Sequence, residues 1–259
     1  MNLQTLSILS ILSYLSVAFN QGLHLYNLRP FARAWYYIGS MICLLSHGII
    51  LYKLIDTPMG QNMDWLIMLS FTMWLMNLFS LGMSLHAPMM QLSILTYPLS
   101  AITLGLSLSL HQDVLSKTEP SALIHIFISL FAMSILTLAS FLAILLAMQN
   151  TLIKKHRAYL ILRILPPLQS MEGLLFVILW SALVFLTASL GSGFFFQSTH
   201  FTHIAYPKTI LAVFAWISLV LLLGGRLFFG WRGPTAIRWT LSSAIFAVLS
   251  YFGTKALLL

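Results

Sequence analysis

Charge is what this 259-residue sequence lacks. Only 7% of its residues are Asp, Glu, Lys or Arg, against about 25% in an average soluble domain. Hydrophobic residues make up 59% and mean hydropathy is +0.94. So little charge cannot clothe a water-soluble surface, and lipid must be the main solvent. There is one cysteine, Cys43, which excludes an internal disulfide, a CxxC thiol pair and a cysteine-rich metal site. HExxH, GxSxG, a phosphate-cradling glycine loop and paired intramembrane carboxylates are also absent. No catalytic constellation remains to nominate, and no enzyme is expected. The formal net charge of +8 then marks a cytoplasmic rim rather than a nucleic-acid partner.

What is present is a succession of apolar runs long enough to cross about 30 Å of hydrocarbon. They fall at 3–20, 34–55, 64–82, 90–110, 121–148, 172–195, 207–228 and 235–257. The expectation is an all-α polytopic membrane protein, a bundle of about eight transmembrane helices forming one domain over 1–259. The first run, "MNLQTLSILSILSYLSVAF", has no basic n-region and reads as a retained span. Pro98 should kink the fourth span. The sixth should fray where it meets Gly191-Ser192-Gly193.

Lys and Arg counts predict orientation. Arg29, Arg33, Lys154, Lys155, Arg157, Arg163, Arg226, Arg232 and Arg238 share one side, nine in all. Lys53, Lys117, Lys208 and Lys255, four in all, lie on the side of both termini. The nine-residue side is predicted to be cytoplasmic and the termini periplasmic. No Asp, Glu, Lys or Arg lies deep in a span, which argues against an ion-driven pump.

Two of the eight histidines, His47 and His125, fall within spans. Span 2 runs outward, so His47 lies past its middle. Span 5 runs inward, so His125 lies roughly 6 Å from its start at ~1.5 Å per residue. Both therefore sit in the outer half of the bilayer. An ionisable ring there is either tied to a neighbouring helix, for which Ser46, Ser129 and Ser134 are at hand, or serves as a ligand. Paired at similar depth, they are the residue type that haem iron takes. The outer loop "GSGFFFQSTHFTHIAYPKT" adds His200 and His203 three residues apart, among aromatics suited to the interface or to a flat porphyrin. In "LPPLQSMEGLLF", Glu172 is placed to favour a helix N-terminus or to pair with a nearby arginine. "GRLFFGWRGPTAIRW" is a tight inner-side turn whose arginines suit topology, lipid phosphates or haem propionates.

The second half carries, in order, "IHIFISLFAMSILTLASFLAILLAMQ", "LPPLQSMEGLLF", "PKTILAVFAWISLVLLLGGR", "GWRGPTAIRW" and "SYFGTKALL". These blocks resemble the cytochrome c assembly family (the CcsA/ResC, CcmC and HemX-like membrane proteins), above all its small eight-span, YpjD-like branch. The resemblance covers about 120–257. It implies an inner-membrane protein that handles haem near the outer face, assisting cytochrome c assembly or haem homeostasis. The partners it implies are haem and cytochrome c maturation components. His125 matches the histidine opening the span before the outer loop, and Pro207, Lys208, Thr209 and Trp216 match the block after it. Arg226, Gly230, Trp231, Arg232 and Gly233 match the inner turn. The family's tryptophan-rich outer loop is replaced by "GSGFFFQSTHFTHIAY", and its histidine after the last span has no counterpart here. The expected cofactor site is thus His125 with His47, His203 or His200, walled by Trp216, with His125 and His47 as iron ligands. The alternative is a haem-free accessory or regulatory protein of the same fold, acting on another inner-membrane complex.

Overall fold

The computed structural model describes all residues except 1–2, 26–32, 86–89, 111, 113, 117–118, 155–165, 198–204 and 254–259. Its described residues form eight helices long and apolar enough to cross a membrane. They are α1 (Leu3–Leu25), α2 (Arg33–Ile55), α3 (Trp65–Ser84), α4 (Ser93–Ser109), α5 (Pro120–Lys154), α6 (Leu168–Gln197), α7 (Ala205–Phe229) and α8 (Pro234–Val248). A π-helical turn, Leu249–Gly253, extends α8. Each expected span is met by one helix.

α4 carries Pro98 in its interior and is entered by a 3-10 turn at Met90–Leu92. One detail differs from expectation. α6 does not fray at Gly191-Ser192-Gly193 but continues to Gln197. Glycine weakens a helix in water, yet in an apolar medium an opened turn exposes backbone groups that nothing else can bond.

The loops also contain a small sheet. β1 (Asp56–Thr57) pairs antiparallel with β2 (Gly60–Asn62), and β2 with β3 (Leu115–Ser116). Gly60 takes φ 138°, a conformation that favours glycine, and closes the β1–β2 turn. The sheet binds the α2–α3 connection to the α4–α5 connection, so these loops share one end of their helices. Asp64 caps α3 by accepting from the Leu66 N–H at 3.0 Å, and its own N–H donates to Asn62 Oδ1 at 3.1 Å. Both side chains are buried.

The chain divides into two compact units. The first gathers α1–α4 and the sheet. In it α1 packs along α2 and α4, while α3 packs on α4 and α2. Its centre holds Tyr14, Tyr36, Cys43, Leu44 and Tyr97. The second gathers α5–α8, where α5 lies along α6 and α8, and α7 along α6 and α8. Its centre is plainer, with Leu138, Ala139, Leu142, Leu175, Leu179 and Leu219 nearly or fully inaccessible.

The turn between α7 and α8 closes the second unit. Gly230 and Gly233 adopt φ 65° and 58°, where a side chain would be strained. The Trp231 ring folds back onto Gly225 and stacks on Trp239 at 5.9 Å. Glu172 reaches Arg226 at 3.6 Å and accepts the Gly233 N–H at 3.3 Å. Its carboxylate therefore serves the start of α8 rather than its own helix, and it also takes the arginine partner. Arg226 lies 4.6 Å over the Phe176 ring.

A Cβ on Gly225 would collide with the Trp231 ring at Cε3. Gly225→Ala is expected to destabilise the protein by about 1–3 kcal/mol through overpacking, read as a fall in Tm in detergent. The same change at Gly224, where a Cβ meets nothing within 4 Å, is expected to leave Tm unchanged or slightly raised.

Candidate functional site

His125 lies one turn into α5, half-buried, and faces α6. Its Nδ1 is 2.9 Å from Ser192 Oγ. The Ser192 hydroxyl donates its own proton to the Ser189 carbonyl at 3.0 Å. When the Ser192 proton goes to the Ser189 carbonyl, the Ser192 oxygen accepts from the ring, which then carries its proton on Nδ1 and keeps a lone pair on Nε2. The Ser189 carbonyl also lies within reach of the ring. A second link ties the same helices: Ser129 donates to the His125 carbonyl at 2.8 Å, and its oxygen meets Ser189 Oγ at 2.7 Å. Gly193 makes the approach possible, since a Cβ there would lie 3.1 Å from His125 Cε1.

This arrangement is that of an anchored imidazole with one nitrogen presented outward. A hydrogen bond to one ring nitrogen sets the tautomer and orientation that a metal ligand needs at the other. Exposed apolar rings follow at the same helix end, Phe194 and Phe195, set edge-to-face at 6.3 Å. Further along α6, Thr187 accepts a hydrogen bond from the Trp216 indole of α7 at 2.9 Å. Trp216 is thereby held half-buried against α6.

His47 has the opposite environment. It is 0% exposed, and both ring nitrogens are engaged. Nδ1 lies 3.1 Å from the Tyr14 hydroxyl of α1, and Nε2 lies 2.9 Å from Ser70 Oγ of α3. The Tyr14 ring meets the imidazole edge-on. The ring therefore joins three helices of the first unit and presents no free nitrogen.

His200 and His203 lie outside the described residues. Among the described residues no group of three or more His, Cys, Asp and Glu is positioned for a metal ion. Of the serines that the sequence offered as partners, Ser129 does reach the neighbouring helix, at Ser189, whereas Ser46 donates to the Ile42 and Cys43 carbonyls and Ser134 to that of Leu130. The working partners, Tyr14, Ser70 and Ser192, were not singled out. Ser192-Gly193 carried the one available signal, a small residue and a hydroxyl beside an aromatic run, but it was read as the end of a helix.

The family model for the cytochrome C assembly protein matches residues 35–259. The chain belongs to the cytochrome c assembly family. The match reaches well into the first unit, beyond the ordered blocks from about residue 120 that carry the resemblance. Inner membrane protein YpjD of Escherichia coli strain K12 is 29% identical over 223 residues, 84% of this chain and 84% of that protein. The proteins of the same name from strains O6:H1 and O157:H7 match to the same extent. No solved structure matches. With eight apolar helices and inner-membrane relatives, this family member is a multi-pass inner-membrane protein.

The ring geometry makes two predictions. Nitrogen-15 NMR of histidine side chains should show His125 as the Nδ1–H tautomer, and Ser192→Ala should convert it to a mixture. Ser70→Ala should cost about 0.5–2 kcal/mol in thermal unfolding, the range for an interhelical bond in a membrane protein.

Proposed function

We propose that this family member is an inner-membrane haem-handling protein that assists cytochrome c assembly or haem homeostasis, with His125 as an iron ligand near the outer face. The observation that carries the reading is the His125 ring: anchored at Nδ1 by Ser192 and open at Nε2. Haem, when bound, would supply an iron that an imidazole nitrogen such as that of His125 would hold. The residues fit it at His125. Ser192 holds the ring, Gly193 lets it approach α6, and the exposed rings of Phe194 and Phe195 offer an apolar face to a flat macrocycle. Trp216, tied to Thr187, stiffens the α6–α7 contact that supports this helix end. His200 and His203 follow α6 closely in sequence and are the first candidates for an opposing ligand. His47 fits less well, because ligation there requires the Tyr14 or Ser70 bond to break.

In this reading both termini lie on the periplasmic side, as nine of the thirteen Lys and Arg on the opposite side require.

One observation favours the haem-free alternative, an accessory or regulator of another inner-membrane complex. The intramembrane histidine of the first unit is closed on both nitrogens and reads there as a structural tie.

Protein purified from haem-replete cells should show a Soret band. His125→Ala should remove most of it, His200→Ala or His203→Ala should weaken it, and His47→Ala should lower Tm more than haem content. Colourless protein that co-purifies with one stoichiometric partner would establish the alternative. A C-terminal alkaline phosphatase fusion should be active and a C-terminal green fluorescent fusion dark; the reverse pattern would overturn the orientation.

A further inference from the structure

Among the described residues, buried side-chain oxygens left without a hydrogen bond concentrate in the first unit. Three of them converge. The Tyr36 hydroxyl of α2, the Tyr97 hydroxyl of α4 and Ser40 Oγ of α2 lie close enough to interact electrostatically, yet none of the three makes a full hydrogen bond. Tyr36 is 3% exposed, Tyr97 1% and Ser40 0%. Ser84 and Ser93 flank Tyr36, and each donates to its own helix at Leu81 and Met90, which leaves both oxygens able to accept. The Asn77–Ser100 bond, 2.6 Å, sets the antiparallel register of α3 and α4 and brings Ser80 level with Thr96 and Tyr97. Ser80 and Thr96 are unbonded as well.

A hydroxyl buried without a partner costs more than the same site filled by carbon. Sequences rarely keep several such groups together in an apolar medium unless something completes them. The something must be small, since the cluster is closed to the surface. It must be uncharged, since no Asp, Glu, Lys or Arg is buried with the cluster: Arg33, one turn before Tyr36 on α2, is exposed. It must both donate and accept, since hydroxyls offer both. Water meets all three conditions, and a buried water typically makes about three hydrogen bonds, the number these convergent hydroxyls offer.

We propose that the first unit contains an internal water site between α2 and α4, bounded by Tyr36, Ser40 and Tyr97, with Ser84 of α3 and Ser93 at its edge. The second unit has no such cluster of unpartnered hydroxyls among its described residues. Tyr97 also meets Tyr14 edge-on at 5.2 Å, so the water lies one side chain away from the Tyr14–His47–Ser70 tie. This explains how a tyrosine-rich core persists in a membrane bundle where phenylalanine would pack as well.

The test separates a hydrated cluster from a dry one by sign. In the full chain in detergent, Tyr36→Phe and Tyr97→Phe should each lower Tm by about 2–4 °C, because each removes an anchor of the water and strands its neighbours. In a dry cluster the same changes remove an unpaired hydroxyl and raise Tm. A second measurement uses the wild-type chain in lipid: water-edited solid-state NMR should transfer magnetisation from water to the Tyr36 and Tyr97 side chains well ahead of Leu136 and Leu142. Transfer no faster than to those leucines overturns the proposal. This measurement decides if a variant fails to fold or if the two results differ.

Discussion

Lipid offers no hydrogen bonds, and the architecture follows from that constraint. Every backbone amide must be satisfied within the chain, which leaves helices as the spanning elements. Many of the hydroxyls obey the same rule. Ser7, Thr72, Ser107, Thr137, Ser218 and Thr240 each donate back to a carbonyl of their own helix. They consume their polarity locally and contribute little to assembly. The helices are instead tied by a small set of bonds between different elements. Trp74 donates to the Leu44 carbonyl, Tyr37 to that of Ser84, and Ser250 to that of Lys208. The histidine contacts belong to this set.

His47 and His125 show how the constraint sorts residues of one kind. Both lie within spans and were expected at similar depth. His47 is enclosed by α1, α2 and α3, so both nitrogens must be satisfied by protein, and Tyr14 and Ser70 do it. His125 lies near the end of its helix, where the ring is half-exposed. One nitrogen is satisfied by Ser192 and the other can remain available. The difference is the number of helices around each ring. The first histidine thereby contributes stability and the second a presented lone pair.

Much of the fold was legible because the code for a span is compositional. Eight apolar runs bounded by basic or turn residues became eight helices, and Gly230, Gly233 and Pro234 marked the α7–α8 turn that forms. The loop sheet was not legible. Its strands are two or three residues long, and β3 joins β2 from more than fifty residues away, so no local periodicity announces them. Glu172 was read as a helix-start acid with arginines nearby. The arginine that it meets, and the neighbouring helix whose first N–H it accepts, depend on the packing of α6 against the α7–α8 turn.

The sequence by itself determined the solvent, the number of spans, the family and the short set of histidines able to do chemistry, because each depends on composition or on contiguous residues. Tertiary structure alone decided which histidine is sealed and which is open. That outcome rests on Tyr14 and Ser70 reaching His47 from 33 and 23 residues away, and Ser192 reaching His125 from 67. Ser192-Gly193 carries no meaning as a ring support until α6 lies beside α5. Then the hydroxyl is an acceptor, the missing Cβ is a clearance, and the direction of a single proton follows.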